Sequence, residues 1–288
     1  PILSGINLVR QEHGVKPLAS LFTEGFMPPA FNYRLGQSNA FLDLLPANGA
    51  PLLDLIPVST HVVKPAPNKP KHHHFTGYWF VDETDSYTPP RHLSAFLDAG
   101  PKPLVITFST VMEVVRSLPG FEELLAVTRR QISEVAVQAV QQAGVRAVVY
   151  RQWFDVSVAL PESMLCVDDV PHAWLLPRAG GVVHHGGAGT SAAALRAGIP
   201  SAIFPEVWDQ LFWAKTFYDL GVAPKPVLKR DLTAQHLGAA LSALATDPRL
   251  AEQSRRLGGY LQAEQGADEA VRIVRQYGEQ WEHDTLWE

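Results

Sequence analysis

Two adjacent histidines, His184 and His185, run directly into Gly186, Gly187, Ala188, Gly189 and Thr190, between the apolar run "GVV" and the Ala/Leu stretch "SAAALRAG". Small residues let a backbone come close to a ligand, and the first turn of a helix leaves several N–H groups unpaired at its positive end. An anion is stabilised at such a junction, phosphate most naturally of all. Thr190 adds a hydroxyl, and the His185 imidazole adds a donor. The loop lacks the Gly-Lys-Ser/Thr ending of a Walker loop and does not follow G-x-G-x-x-G, so neither nucleotide fingerprint applies. A close-packing turn with no ligand would read the same in isolation. About twenty residues on, "FPEVWDQLFWA" carries Asp209 and Gln210, an acceptor and an amide suited to vicinal hydroxyls. Upstream, "VDDVPHAWLLPR" places Val170 and His172 where a base or ribose would rest. A sugar attached to the phosphate is the natural occupant.

The elements needed to hold these residues are legible from about residue 103. "LVITF" (residues 104–108) is a buried-strand run, and "FEELLAVTRRQISEVAVQAVQQAG" shows apolar residues at helical spacing that end at Gly144. Further strands fit "VRAVVY", "LCV", "GVVHH" and "SAIF". Helices fit "TSAAALRAG", "DQLFWAKTFYDLG", "TAQHLGAALSALATDP" and "RLAEQSRRLGGYLQAEQ". The alternation predicts an α/β fold with a doubly wound parallel sheet, whose ligand lies at the carboxyl ends of the strands. With a strand over residues 182–185 and a helix over 191–197, residues 186–189 would form the turn at that edge.

Fourteen of the 23 prolines fall in residues 1–103, so this part is read as short pieces and long connections, too broken for a complete domain. The whole chain, 288 residues with 46% hydrophobic and 18% charged residues, has the composition of a globular protein. Its net charge of −5 gives no electrostatic reason to expect nucleic acid, although peripheral membrane contact through a local patch stays open. One cysteine, Cys166, rules out an intrachain disulfide and fits a reducing compartment, read as the cytoplasm, although a disulfide-free secreted protein would look the same. Its plain reading is a small buried hydrophobe. No apolar run reaches the roughly 18 residues of a membrane-spanning helix.

The stretch "DVPHAWLLPRAGGVVHHGGAGTSAAALRAGIPSAIFPEVWDQLFWAKTFYDLGVAP" resembles the donor-binding signature of nucleotide-sugar glycosyltransferases with the GT-B fold. It is closest in wording to the sterol glucosyltransferase branch and its bacterial relatives. The resemblance runs back through "HHHFTGYWFVDETDSYTPPRHLSAFLDAGPKPLVITFSTVM" and covers about residues 70–225. It implies inverting transfer of a hexose, usually glucose, from a UDP-sugar to a hydroxyl of a lipophilic acceptor such as a sterol or other natural product. It also implies no metal, because the helix terminus and histidine meet the diphosphate charge. Carried residue by residue, it gives His185 the diphosphate, Gly187, Ala188, Gly189, Thr190 and Thr110 the loop amides and hydroxyls, Trp153 and Val170 the surroundings of the uracil, and Asp209 and Gln210 the sugar.

Three departures matter. The family's Phe-Gly-Ser turn reads Phe108-Ser109-Thr110, and its "PFFGDQ" reads Pro205-Glu206-Val207-Trp208-Asp209-Gln210, with an acidic residue beside the sugar pocket. The family's N-terminal acceptor domain carries the histidine base, and nothing in residues 1–30 matches that beginning; His13 sits in a different context. The expected organisation is therefore the end of an acceptor domain with a linker (1–100), a whole donor domain (101–265) and a C-terminal helix returning to the first domain (266–288). A catalytically silent nucleotide-sugar-binding module is the alternative. An unrelated dinucleotide binder is weaker still, for want of G-x-G-x-x-G. His72–His74 are read as a solvated stretch rather than a metal site, His184 as packing or orienting the loop, and Trp208, Phe212, Trp213, Phe217 and Tyr218 as core at helical spacing.

Overall fold

The computed structural model describes residues 53–81, 87–108 and 121–282, with the side chains of 121–125, 208 and 280–282 excepted. The chain divides into two units, residues 1–54 with 66–74 and residues 55–65 with 75–288. In the first unit, β1 (Asp54–Ile56) and β2 (His73–Phe75) both begin, and the Asp54 N–H donates to the His72 carbonyl at 3.0 Å. His73 is buried there with its Nε2 atom 3.5 Å from the Asp54 carboxylate. His72 is a turn residue and His73 and His74 open β2, so the burial of His73 corrects the expected solvated stretch; no group of three metal-ligating side chains gathers among the described residues.

The second unit holds the regular α/β succession. After α1 (Arg91–Asp98) come β3 (Leu104–Thr107), α2 (Phe121–Ala143), β4 (Ala147–Tyr150), β5 (Met164–Val167), the short α3 (His172–Leu175), β6 (Gly181–His184), α4 (Ala188–Ala197), β7 (Ser201–Ile203) and α5 (Trp208–Asp219). Three helices close the chain, α6 (Ala234–Thr246), α7 (Pro248–Ala263) and α8 (Gly266–Glu282). The five strands β3 to β7 form one parallel sheet in the order β5-β4-β3-β6-β7. Register runs Leu104 beside Ala147 on one side and Thr107 beside His184 on the other. From β3 the chain winds outward through β4 to β5, then returns to lay β6 on the opposite flank. Right-handed crossovers put α2 and α4 on opposite faces, and the order reverses between β3 and β6. Sheets of this kind leave a crevice at the carboxyl ends of those two strands.

The strands read as continuous apolar runs because both faces are covered: all four residues of β4 and of β6 are buried. Ala136, Ala139 and Val140 of α2 and Leu237, Leu241 and Leu244 of α6 share one core cluster with β3, β4 and β6. A second cluster joins Leu195 of α4 to Trp213 and Phe217 of α5 and Leu257 and Leu261 of α7. Fully burying Phe217 contributes about 2–3 kcal/mol. Helix starts follow local chemistry. The Thr233 hydroxyl accepts from the His236 N–H at 3.2 Å, and the Asp247 carboxylate from the Arg249 N–H at 2.9 Å with Pro248 opening α7.

The parallel, doubly wound sheet and all five of its expected strands are present. One boundary differs with consequence: α4 begins at Ala188 rather than at 191. Ala188, Gly189 and Thr190 form its first turn, because Gly187 sits in extended backbone as the flanking residue and its carbonyl accepts the Ser191 N–H at 2.9 Å. The turn itself shrinks to residues 185–187. Among the described residues no helix is long and apolar enough to cross a membrane.

Candidate functional site

β6 ends on His184, and His185 follows it directly; extended backbone sends successive side chains different ways. His184 is fully buried, and its Nδ1 atom accepts the Gly186 N–H at 3.1 Å. That bond fixes the proton on Nε2 and holds the turn against the strand. Burial, with His185 and His172 nearby, lowers the His184 pKa to about 3, so it stays neutral. Its expected role as the residue that orients the loop matches this geometry.

His185 is half-buried at the sheet edge, and its ring lies over Gly187, with Nε2 in the space a Cβ there would need. Nδ1 is buried with no partner. Desolvation lowers its pKa, the Lys229 and His172 charges add to the lowering, and Glu206 opposes it. A neutral imidazole therefore stands beside the N-terminus of α4. No side chain caps that terminus, and the N–H groups of Ala188, Gly189 and Thr190 precede the first intrahelical bond. Gly189 is exposed, and a Cβ on it would meet nothing within 4 Å. Imidazole and amides thus converge at the β3/β6 reversal, the arrangement that stabilises an anion.

The loop abuts the next helix. Gly186 has φ +93°, and a Cβ on it would lie 2.9 Å from Ile203 Cγ2 and 3.0 Å from the Gln210 carbonyl oxygen, so only glycine fits. This contact sets the backbone of Gln210, in the first turn of α5, against Gly186, with Asp209 one residue before it. Asp209 is half-buried. Gln210 is buried, and its Oε1 accepts the N–H of Glu206 at 2.8 Å and of Val207 at 3.3 Å. Its acceptor is thus spent on the β7–α5 turn. Glu206 pairs with Lys229, Oε1 to Nζ 2.8 Å.

The residues expected around the base are placed more deeply. Trp153 is 5% exposed, and its indole N–H donates to the Ile106 carbonyl at 3.2 Å while the ring meets Phe108 edge-on at 5.0 Å. Val170 is also in the core, with its carbonyl accepting the Tyr150 hydroxyl at 3.1 Å. His172 packs its ring against Tyr150 and lines a cavity of about 260 Å³ with Phe80, Ala193 and Arg196. Burial lowers its pKa, against the pull of Asp169. Thr110 and Ser109 lie outside the described residues. Among the aromatics of α5, Trp213 and Phe217 are core and Tyr218 is half exposed; Cys166 is half-buried in β5 with its thiol pKa raised by burial.

Sequence reasoning passed over Lys229. It stands in a single 3₁₀ turn, Lys229–Asp231, twenty-three residues beyond its partner Glu206, and no spacing rule links the two.

Residues 136–276 match the family described as erythromycin biosynthesis protein CIII-like, C-terminal domain. The chain is 34% identical over 247 residues to a sterol 3-beta-glucosyltransferase of Komagataella phaffii, covering 82% of this chain and 19% of that protein. It is also 34% identical over 231 residues to an O-mycaminosyltylonolide 6-deoxyallosyltransferase of Streptomyces fradiae, covering 80% of this chain and 51% of that protein. The chain therefore spans about a fifth to a half of these relatives. Among solved structures, the glycotransferase of kitacinnamycin shares the fold with a TM-score of 0.61 at 23% identity, over 79% of this chain and 55% of that one. The glycosyltransferase VinC, solved in complex with dTDP, aligns with a TM-score of 0.51 at 26% identity, over 65% of this chain and 44% of that one.

Proposed function

We propose that this chain, whose residues 136–276 match the erythromycin biosynthesis protein CIII-like C-terminal domain family, holds the nucleotide-sugar donor of a hexosyltransferase. The donor is a UDP-sugar, UDP-glucose first, and the acceptor is a hydroxyl on a lipophilic molecule such as a sterol or macrolide-like natural product. The observation that carries this reading is the neutral His185 imidazole lying over Gly187 beside the uncapped N-terminus of α4, at the reversal of the sheet.

The chemistry follows from where charge develops. When an acceptor oxygen attacks the anomeric carbon from the face opposite the diphosphate, the bond from that carbon to the β-phosphate oxygen breaks with inversion, and negative charge grows on the diphosphate. The α4 amides and a His185 N–H aimed at those oxygens stabilise that charge in place of a cation, so the reading takes the transfer as metal-independent. Asp209 accepts from sugar hydroxyls, and the Gln210 amide N–H₂ donates to them. The base that takes the acceptor proton is not assigned to any residue of this chain. A lipophilic acceptor brings peripheral membrane contact into the proposal, with the cytoplasm as the compartment.

The names of the relatives support sugar transfer, and the dTDP found in VinC supports a nucleoside diphosphate as ligand. Calorimetric titration of the chain with UDP, UDP-glucose, dTDP and NAD tests the reading. Saturable binding of UDP or dTDP, weakened by about 1–3 kcal/mol in His185→Ala, is expected. A folded chain that binds NAD and neither diphosphate overturns it.

A further inference from the structure

Lys229 is tethered to the site from two directions. Its backbone N–H donates to the Pro205 carbonyl at 3.0 Å, just after β7, and its ammonium lies 2.8 Å from Glu206 Oε1. The same Nζ stands 5.7 Å from the centre of the Phe108 ring, which follows β3 directly. The side chain is only 10% exposed, against 31% for Glu206. Three strand ends therefore meet around this one cation: β3 through Phe108, β6 through His185, whose imidazole feels the lysine charge, and β7 through Glu206.

A nearly buried ammonium is retained only where an opposite charge or an aromatic face meets it. In the free protein that charge is the more exposed carboxylate of Glu206. A nucleoside diphosphate brings a larger negative charge to the same sheet edge, with oxygens that accept from an ammonium as a carboxylate does. Glu206 left in place beside that diphosphate would repel it, unless Lys229 stands between them.

We propose that Lys229 is a donor-binding residue that contacts the diphosphate, and that Glu206 holds its ammonium in position until the nucleotide arrives and takes over as partner. The proposal rests on the donor-site reading above. It gives the acidic residue at the "PEVWDQ" turn a use, as a placeholder for the phosphate charge rather than an obstacle to the sugar. It also differs from a simple clasp between the Lys229 turn and the end of β7, because the two partners then act on ligand affinity with opposite signs.

The test is titration of the 288-residue chain and its Lys229→Gln, Lys229→Arg and Glu206→Gln variants with UDP, and with uridine followed by ligand-observed NMR. Expected are a loss of at least tenfold in UDP affinity for Lys229→Gln, near-parent affinity for Lys229→Arg, a gain of about threefold for Glu206→Gln, and no change for uridine in any variant. Weakening of UDP in both Lys229→Gln and Glu206→Gln, or an equal loss for uridine, identifies a clasp and overturns the proposal while the donor reading stands. Should Lys229→Gln fail to fold, Glu206→Gln decides: tighter UDP binding upholds the proposal, unchanged or weaker binding overturns it. Absence of UDP binding by the parent chain overturns the donor reading and the proposal with it.

Discussion

The Nε2 atom of His185 occupies the space into which a Cβ on Gly187 would project. Gly187 has φ −63° and ψ 143°, a conformation open to any residue, so the backbone does not demand glycine there. The demand comes from the imidazole. This glycine is a positioning residue for the histidine, whereas Gly186, at φ +93°, is required by the turn itself.

Gly187→Ala should therefore displace the His185 ring while the fold persists, because the obstructing atom is the far end of a side chain. UDP affinity is expected to fall by about tenfold, about 1.4 kcal/mol, with the melting temperature nearly unchanged. Gly189→Ala serves as the contrast. It meets nothing within 4 Å and replaces a helical glycine, so it should raise stability by about 0.5–1 kcal/mol. Calorimetry with UDP and thermal melts check both; a Gly187→Ala protein that loses stability but not affinity would refute the positioning role.

His184 sets a pH dependence. Its pKa falls from an ordinary 6.5 to about 3 in the folded protein, so below pH 6.5 the unfolded chain takes up a proton that the folded chain refuses. Stability from this group is complete above about pH 6.5 and is lost progressively as pH falls toward 3. Between pH 7.5 and 5 the loss amounts to about 2 kcal/mol. His184→Asn keeps an acceptor for the Gly186 N–H and removes the titration. Urea unfolding at the two pH values should show the parent losing about 2 kcal/mol more than the variant. Equal losses would mean that the His184 ring is protonated in the fold.

The strands and their order of appearance were legible because a parallel sheet covered on both faces leaves plain apolar runs such as "VVY" and "GVV". The phosphate loop was legible because His184, His185 and the glycines are contiguous. The start of α4 was not. Glycine at 189 reads as turn by propensity, yet Gly187 in extended backbone lets the helix begin at Ala188, and the helix terminus then faces the ligand edge directly. Lys229 was invisible for another reason: it reaches Glu206 across the fold from an irregular turn, and such a pair has no period. Burial was also hidden. Nothing in "RQWFD" says that Trp153 spends its indole N–H on Ile106.

Trp153→Phe follows from that last bond. It removes one hydrogen bond from the Ile106 carbonyl and keeps an aromatic ring against Phe108, so a cost of about 0.5–1.5 kcal/mol is expected in chemical denaturation. UDP affinity should stay within about threefold, because the indole lies in the core. A variant of parent stability that binds UDP tenfold more weakly would instead make the ring a stacking platform for the base.

Gln210 divides its side chain between fold and ligand. Its oxygen accepts two N–H groups at the start of α5, so Gln210→Ala leaves those donors unpaired and should cost about 1–2 kcal/mol. Gln210→Glu keeps the acceptor oxygens and sets a negative charge at a helix N-terminus, which is favourable, so it should melt close to the parent. It nevertheless lacks the amide N–H₂ assigned to the sugar. The ratio of UDP-glucose to UDP affinity, measured by calorimetry, is therefore expected to fall in both variants, while stability falls only in Gln210→Ala. Were the ratio to hold in Gln210→Glu, the sugar would rest on Asp209 and the role of Gln210 would end at the turn that it caps.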